Sequence, residues 1–280
     1  MQILRASDMG FCFGVRRAVE MAEKAAVELD ELSSLGSVVH NRQVVERLAA
    51  LGVRVIRSPS EARGAIVIPS HGVAPDVMAE AKNLGLQIID ATCPMVTRSQ
   101  QWAKRLSRDG FTVVIFGNPD HPEVRGVLGW AQGKGVAFPD YAALQSVALP
   151  SRIAVLPQTT QTESRFASFV GSLLDLHLKT IREIRVINTL CHATTNKQAA
   201  TRELARKVDL MIVVGGLESA NTRHLSEVAE AEGVETHQVE EASQIDAAWL
   251  EGRARVGITA GASTPNEAID AVAARLQELA

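Results

Sequence analysis

Only three cysteines occur in 280 residues. That is too few for a disulfide-built fold, and it points to a reducing, cytoplasmic compartment. No two of them form a C-x-x-C pair, so the familiar ferredoxin and zinc-ribbon spacings are absent. Neither sign of charge dominates: 29 lysines and arginines face 32 aspartates and glutamates, for a net charge of -3. A basic nucleic-acid footprint is therefore missing. The longest apolar runs, such as Leu210-Met211-Ile212-Val213-Val214, are strand-sized and far too short for a membrane span. Met1-Gln2-Ile3-Leu4 offers no basic stretch ahead of an apolar one, so no secretory signal is expected. The nucleotide fingerprints G-x-G-x-x-G and G-x-x-x-x-G-K-[ST] do not occur, so a nucleotide is not indicated.

What is present is regular. Hydrophobic residues make up 46% of the chain, enough for a substantial core. Short β-branched runs alternate with longer amphipathic stretches, the pattern of parallel sheet with crossover helices. Strands are expected at 2–5, 37–39, 65–69, 87–90, 112–116, 153–156, 184–187, 210–214 and 255–259. Helices are expected at 15–29, 42–51, 96–108, 163–174, 196–206, 222–232 and 265–279. Each cysteine falls between a strand and a helix. Ile3-Leu4 leads to Cys12, Ile88-Ile89-Asp90-Ala91-Thr92 to Cys93, and Val186-Ile187-Asn188-Thr189-Leu190 to Cys191. The near-even spacing suggests three α/β modules, at 1–93, 94–188 and 189–280.

Thiolate is the form that binds iron or zinc, and a helix N-terminus favours it by stabilising negative charge. A single cysteine is more often a small buried hydrophobe. Three at equivalent positions argue for a shared metal group. Three thiolates would leave one iron of a four-iron cluster open as a Lewis acid. Zinc on three cysteines and a histidine, His192 for example, stays open as an alternative.

Polar residues follow the strands that lack a cysteine. In open parallel sheets ligands sit beyond these carboxyl ends. Asp120-His121-Pro122-Glu123 could supply a proton donor, although His-Pro-Glu-Val also reads as a turn and helix start. Gln158-Thr159-Thr160 lies at another strand end. Ser219, Asn221 and Ser263 could offer hydroxyl, amide and backbone donors to a phosphate, or could simply cap helices. His40 and His71 could add phosphate contacts.

These stretches together resemble one family. They are GFCFGVRRA at Cys12, VVHNRQVVERL at His40, SHGVAP at His71, DATCPMVTRSQ at Cys93, HPEVRG at His121 and Glu123, QTT at Thr159, CHATTNKQ at Cys191, VVGGLESANT at Ser219 and Asn221, and GITAGASTP at Ser263. The chain resembles the 4-hydroxy-3-methylbut-2-enyl diphosphate reductase family, also called IspH or LytB. The resemblance implies three α/β modules in a pseudo-threefold arrangement around a central [4Fe-4S] cluster on Cys12, Cys93 and Cys191. It implies that the substrate hydroxyl meets the open iron and that Glu123 delivers protons, with His121 and Thr159 nearby. His40, His71, His121, Ser219, Asn221 and Ser263 would hold the diphosphate. A ferredoxin or flavodoxin would supply electrons for the last step of the methylerythritol phosphate route to isoprenoids. Ala220 departs from the pattern, standing where members often carry a second serine. Alternatives are a related iron–sulfur reductase or dehydratase on another hydroxylated anion, a cluster-based sensor, and a zinc-stabilised binding protein.

Overall fold

The computed structural model describes residues 1–145 and 147–280. Among them are twelve strands and nine α-helices. The strands are β1 (Gln2–Arg5), β2 (Leu32–Leu35), β3 (Arg54–Ile56), β4 (Ala65–Ile68), β5 (Gln87–Asp90), β6 (Thr112–Phe116), β7 (Gly135–Phe138), β8 (Arg152–Pro157), β9 (Glu183–Val186), β10 (Leu210–Val214), β11 (Glu235–Val239) and β12 (Arg255–Ala260). The helices are α1 (Phe13–Glu28), α2 (Arg42–Ala50), α3 (Pro75–Asn83), α4 (Pro94–Arg108), α5 (Pro122–Trp130), α6 (Glu163–His177), α7 (His192–Ala205), α8 (Ala220–Glu230) and α9 (Asn266–Glu278).

All pairings are parallel and form three four-stranded sheets, ordered β3-β2-β4-β5, β7-β6-β8-β9 and β1-β12-β10-β11. Each sheet repeats one plan: a half-exposed edge strand, two interior strands, then an edge strand that leads to a cysteine. Helices cover the sheets, so interior strands read as continuous apolar runs. Every residue of β4 and of β10 is buried. The helix α4 shows the complementary pattern, with Val96, Ser99, Gln100, Ala103, Leu106 and Ser107 buried along one face.

The chain divides into two compact units. One comprises Met1–Arg16, Val39–Glu46 and His192–Ala280, and it holds the β1-β12-β10-β11 sheet. The other comprises Arg17–Val38 and Arg47–Cys191, and it holds the remaining two sheets.

The strands β3, β7 and β11 and the helices α3 and α5 come in addition to the elements read from sequence, and two further features differ from that reading. The strand expected at 37–39 lies instead at Leu32–Leu35. Its Ser33 and Ser34 are buried, and the Ser34 hydroxyl donates to the Gly36 carbonyl at 2.7 Å. Satisfied serines let a polar-looking segment occupy a sheet interior. Val38 and Val39 are buried too, but in the loop beyond. The second difference is β1, which pairs not with strands of the first hundred residues but with β12, Gln2 opposite Arg255 and Arg5 opposite Ile258. The chain's opening strand thereby fills the place that β5 and β9 fill in their own sheets.

Candidate active site

The three cysteine loops share one backbone arrangement. The N–H of Cys12 donates to Ala262 O at 3.2 Å, that of Cys93 to Ser70 O at 2.9 Å, and that of Cys191 to Thr159 O at 3.0 Å. In each case the acceptor lies just beyond the strand next to the cysteine's own edge strand, β12, β4 or β8. Two of the loops share a further device. Asp90 Oδ1 accepts from the Thr92 N–H and Asn188 Oδ1 from the Leu190 N–H, each at 3.0 Å, so a side-chain turn sets up the cysteine that follows. Cys93 is the N-cap of α4, Cys191 immediately precedes α7, and Cys12 immediately precedes α1. All three are partly exposed. Helix N-termini and partial exposure are the conditions under which a thiol becomes a reactive thiolate.

Two arginines that the sequence reading did not single out steady these loops. Arg17 donates to Thr92 O at 3.2 Å, and Arg98 to Asn188 O at 3.3 Å. Their charges also favour an anionic group on the neighbouring sulfurs. Three cysteines in like strand–helix settings have the thiolate chemistry that an iron–sulfur cluster takes. Among the described residues, no three His, Cys, Asp or Glu side chains gather as ligands of one metal ion.

Within the larger unit, Thr159 ties a carboxyl to a cysteine loop. Its N–H donates to Glu123 Oε1 at 2.7 Å and its hydroxyl donates to Glu123 Oε2 at 2.8 Å, while its carbonyl accepts from the Cys191 N–H. Glu123 is 4% exposed. Burial raises its pKa above the usual 4.5, and the two Thr159 hydrogen bonds only partly oppose this. The site thus holds a carboxyl that keeps its proton more readily than a surface glutamate. His121 caps α5, its Nδ1 accepting from the Glu123 N–H at 3.1 Å. In the neutral ring the proton then sits on Nε2, which becomes a donor. The capping and catalytic readings of His121-Pro122-Glu123 are therefore compatible. His71 is half-buried in the loop after β4, with Nδ1 3.2 Å from Gly72 O.

Within the other unit the remaining polar residues cluster. The segment 39–46 is held by Arg42 to Glu241 at 3.3 Å and by Gln43 to Glu240 O at 3.4 Å. The Ser263 hydroxyl donates to His40 O at 3.1 Å, joining the loop after β12 to this segment. Ser219 caps α8 by accepting from the Thr222 N–H at 3.3 Å. Asn221, 6% exposed, keeps both side-chain polar atoms buried without a hydrogen-bond partner. A native amide in that state calls for a ligand or bound water. Gly261 allows the close packing here, since a Cβ on it would sit 2.1 Å from Thr222 Oγ1. Burial lowers the pKa of His40, against the pull of nearby Glu218, so its ring is neutral at pH 7.

The structure therefore joins Glu123, His121, Thr159 and Cys191 in one unit, together with Cys93 and His71, and joins His40, Ser219, Asn221, Ser263 and Cys12 in the other. Long-range bonds such as that from Thr159 to Glu123 leave no trace in local sequence pattern. Neutral donors gather in one unit, where they can hold an anion, and the other holds a carboxyl whose burial favours its protonated form.

Comparison with known proteins agrees with this picture. The family model described as LytB protein matches residues 3–277. A 4-hydroxy-3-methylbut-2-enyl diphosphate reductase of Dehalococcoides mccartyi (strain CBDB1) is 47% identical over 281 residues, covering 100% of this chain and 99% of that protein. The enzyme of that name from Geobacter sulfurreducens is 43% identical, covering 99% and 98%. A solved (E)-4-hydroxy-3-methyl-but-2-enyl diphosphate reductase, described as the terminal enzyme of the non-mevalonate pathway, superposes with a TM-score of 0.71 at 37% identity, covering 99% and 100%. The Plasmodium falciparum E-1-hydroxy-2-methyl-but-2-enyl-4-diphosphate reductase gives 0.89 at 25% identity, covering 96% and 86%.

Proposed function

The chain belongs to the LytB family, and from that membership we propose that it reduces (E)-4-hydroxy-3-methylbut-2-enyl diphosphate to isopentenyl and dimethylallyl diphosphate. Two electrons and two protons are consumed. The allylic C–O bond breaks, a C–H bond forms, and the hydroxyl leaves as water. Cys12, Cys93 and Cys191 would hold a [4Fe-4S] cluster, and a cytoplasmic ferredoxin or flavodoxin would be the one-electron donor. When bound, the cluster supplies those electrons and an open iron with Lewis-acid character. In sequence the modules divide at 1–93, 94–188 and 189–280, with β1 contributed to the last sheet.

The reading rests above all on Thr159, whose N–H and hydroxyl meet Glu123 while its carbonyl meets Cys191. Burial favours the protonated form of this carboxyl, the form that acts as general acid. For transfer the Thr159 hydroxyl, which donates to Oε2 in the resting structure, rotates so that Oγ1 accepts the Glu123 proton and passes its own to the departing oxygen. His121 offers its Nε2–H. The diphosphate is held at the other group, by Ser219, Asn221, Ser263 and His40, with His71 and His121 adding donors. Because the diphosphate does not react, its binding energy serves to position the hydroxyl.

Anaerobically reconstituted protein should convert the substrate to isopentenyl and dimethylallyl diphosphate with a chemical reductant. Glu123→Gln should lower turnover about 10²- to 10⁴-fold with an unchanged cluster spectrum. An intact cluster without product would reject the reading. Ala220, nearly buried in the first turn of α8, would then favour a different hydroxylated anion as substrate.

A further inference from the structure

Gln158 stands at the end of β8, one residue before Thr159, and is 2% exposed. The register of β6 against β8, with Phe116 opposite Pro157, sets it beside Gly117. There it lies down closely, for a Cβ on Gly117 would be 2.7 Å from both Gln158 Cβ and Oε1. Oε1 accepts from the Asn118 N–H at 3.2 Å. That bond fixes the amide orientation, since the opposite flip would set N–H against N–H. The Nε2 group therefore points elsewhere. It is buried and has no hydrogen-bond partner. Burying an amide donor without an acceptor is costly, and native proteins rarely tolerate it without a use for the group. The Asn118 turn leads directly into His121 and Glu123. Gln158 thus sits between the two loops that carry the acid and its threonine partner.

We propose that Gln158 Nε2 donates a hydrogen bond to the departing hydroxyl oxygen of the substrate, orienting it toward Thr159 and Glu123. This rests on the reductase reading above. Gln158 transfers no proton itself. A donor aimed at an oxygen that gains negative charge as its C–O bond breaks is worth more in the transition state than in the ground state. The effect therefore falls on kcat more than on KM.

Two variants separate this role from simple support of the loop. Gln158→Glu keeps an oxygen for the Asn118 N–H but replaces the donor by an acceptor. Gln158→Leu removes both groups without adding charge. In the cluster-loaded protein, Q158E should lose about ten- to a hundredfold in kcat, the range expected for one hydrogen bond. Its melting temperature and cluster spectrum should match wild type. A binding measurement gives a second readout. Without reductant, wild type should bind the hydroxylated substrate more tightly than isopentenyl diphosphate, which lacks the hydroxyl. Q158E should lose most of that preference while binding isopentenyl diphosphate as before. If Q158E does not fold, the ratio of the two Kd values in Q158L decides. A wild-type kcat and an unchanged Kd ratio would overturn the proposal and leave the reductase reading standing. A wild-type protein that carries its cluster but neither binds nor reduces the substrate would end both.

Discussion

Glu123 is a carboxyl buried at a strand end and bonded through both oxygens by one residue. Its raised pKa means that the folded protein binds a proton which the unfolded chain would release. The contribution to stability is therefore full below pH 4.5 and is lost as pH rises through the folded value. The pH profile of turnover should lose activity on its alkaline side as this proton leaves. Thr159→Val deletes the hydroxyl bond, one of the two interactions that lower the pKa, and retains the backbone one. The alkaline limb should then move to higher pH while maximal turnover falls, because the relay hydroxyl is gone. A limb that stays in place or moves to lower pH, measured with the variant's cluster intact, counts against Glu123 as the acid. At this scale the sequence was partly legible. Cys12, Cys93 and Cys191 stood out because strand–loop–helix transitions bracket them, whereas Glu123, which alone reads as part of a turn and helix start, drew its role from the family resemblance. Gln158 did not, since a glutamine after a strand is ordinary until its unbonded amide is seen in space.

Among the elements, the interior strands were legible for a physical reason. A strand covered on both faces must be apolar throughout, as β4 and β10 are. The edge strands β3, β7 and β11 were not read from sequence. They are short and partly exposed, with residues such as Arg54 and Glu235 turned to solvent, so neither a continuous run nor a clean alternation marks them. The helix α7 carries a different lesson. Lys197 is only 3% exposed, and its ammonium is paired with Asp8 in the loop that leads to Cys12. The pair fastens that loop to the helix that begins after Cys191. Removing the carboxylate would strand a buried charge, whereas removing the lysine would leave an aspartate that is 41% exposed and can be hydrated. Asp8→Asn should therefore cost up to about 3 kcal/mol, and Lys197→Met far less. Denaturant unfolding of the two variants, without metal, checks the order. Equal losses would mean that the pair is not a desolvated one.

At the scale of the whole molecule, the alternation of β-branched runs with amphipathic stretches indicated parallel α/β architecture and the cysteine spacing three modules, to which the family resemblance added the pseudo-threefold arrangement. No described helix is long and apolar enough to cross a membrane. The handling of an anionic ligand also belongs to this scale, because it draws on loops far apart in sequence. His40 is lowered by burial, so in the ligand-free protein stability tied to its neutral ring is present above 6.5 and declines as pH falls below it. A bound diphosphate favours the imidazolium. Binding of inorganic pyrophosphate should then take up protons and strengthen as pH falls toward 6.5. Calorimetry in two buffers of different ionisation enthalpy measures this uptake, and His40→Asn should remove it. Pyrophosphate at a hundredfold excess over its Kd should also add about 2.7 kcal/mol of stability. Asn221→Ala should lose most of that gain at the same concentration.

The place of β1 in the sheet of β12 has a bearing on how the protein is made. Residues 2–5 are made before the other described strands, yet the strand they must join, β12, follows all of them. Both four-stranded sheets of the larger unit can close before β12 is made. Cys93 and Cys191 can then be seated before Cys12 has anything to hold it. Joining β1 to β12 closes the longest loop among the strand pairings and carries the largest loop entropy. Cys12, stationed on that seam, has its partner Ala262 only once β12 and the loop beyond it have been made, so its loop is held later than those of Cys93 and Cys191.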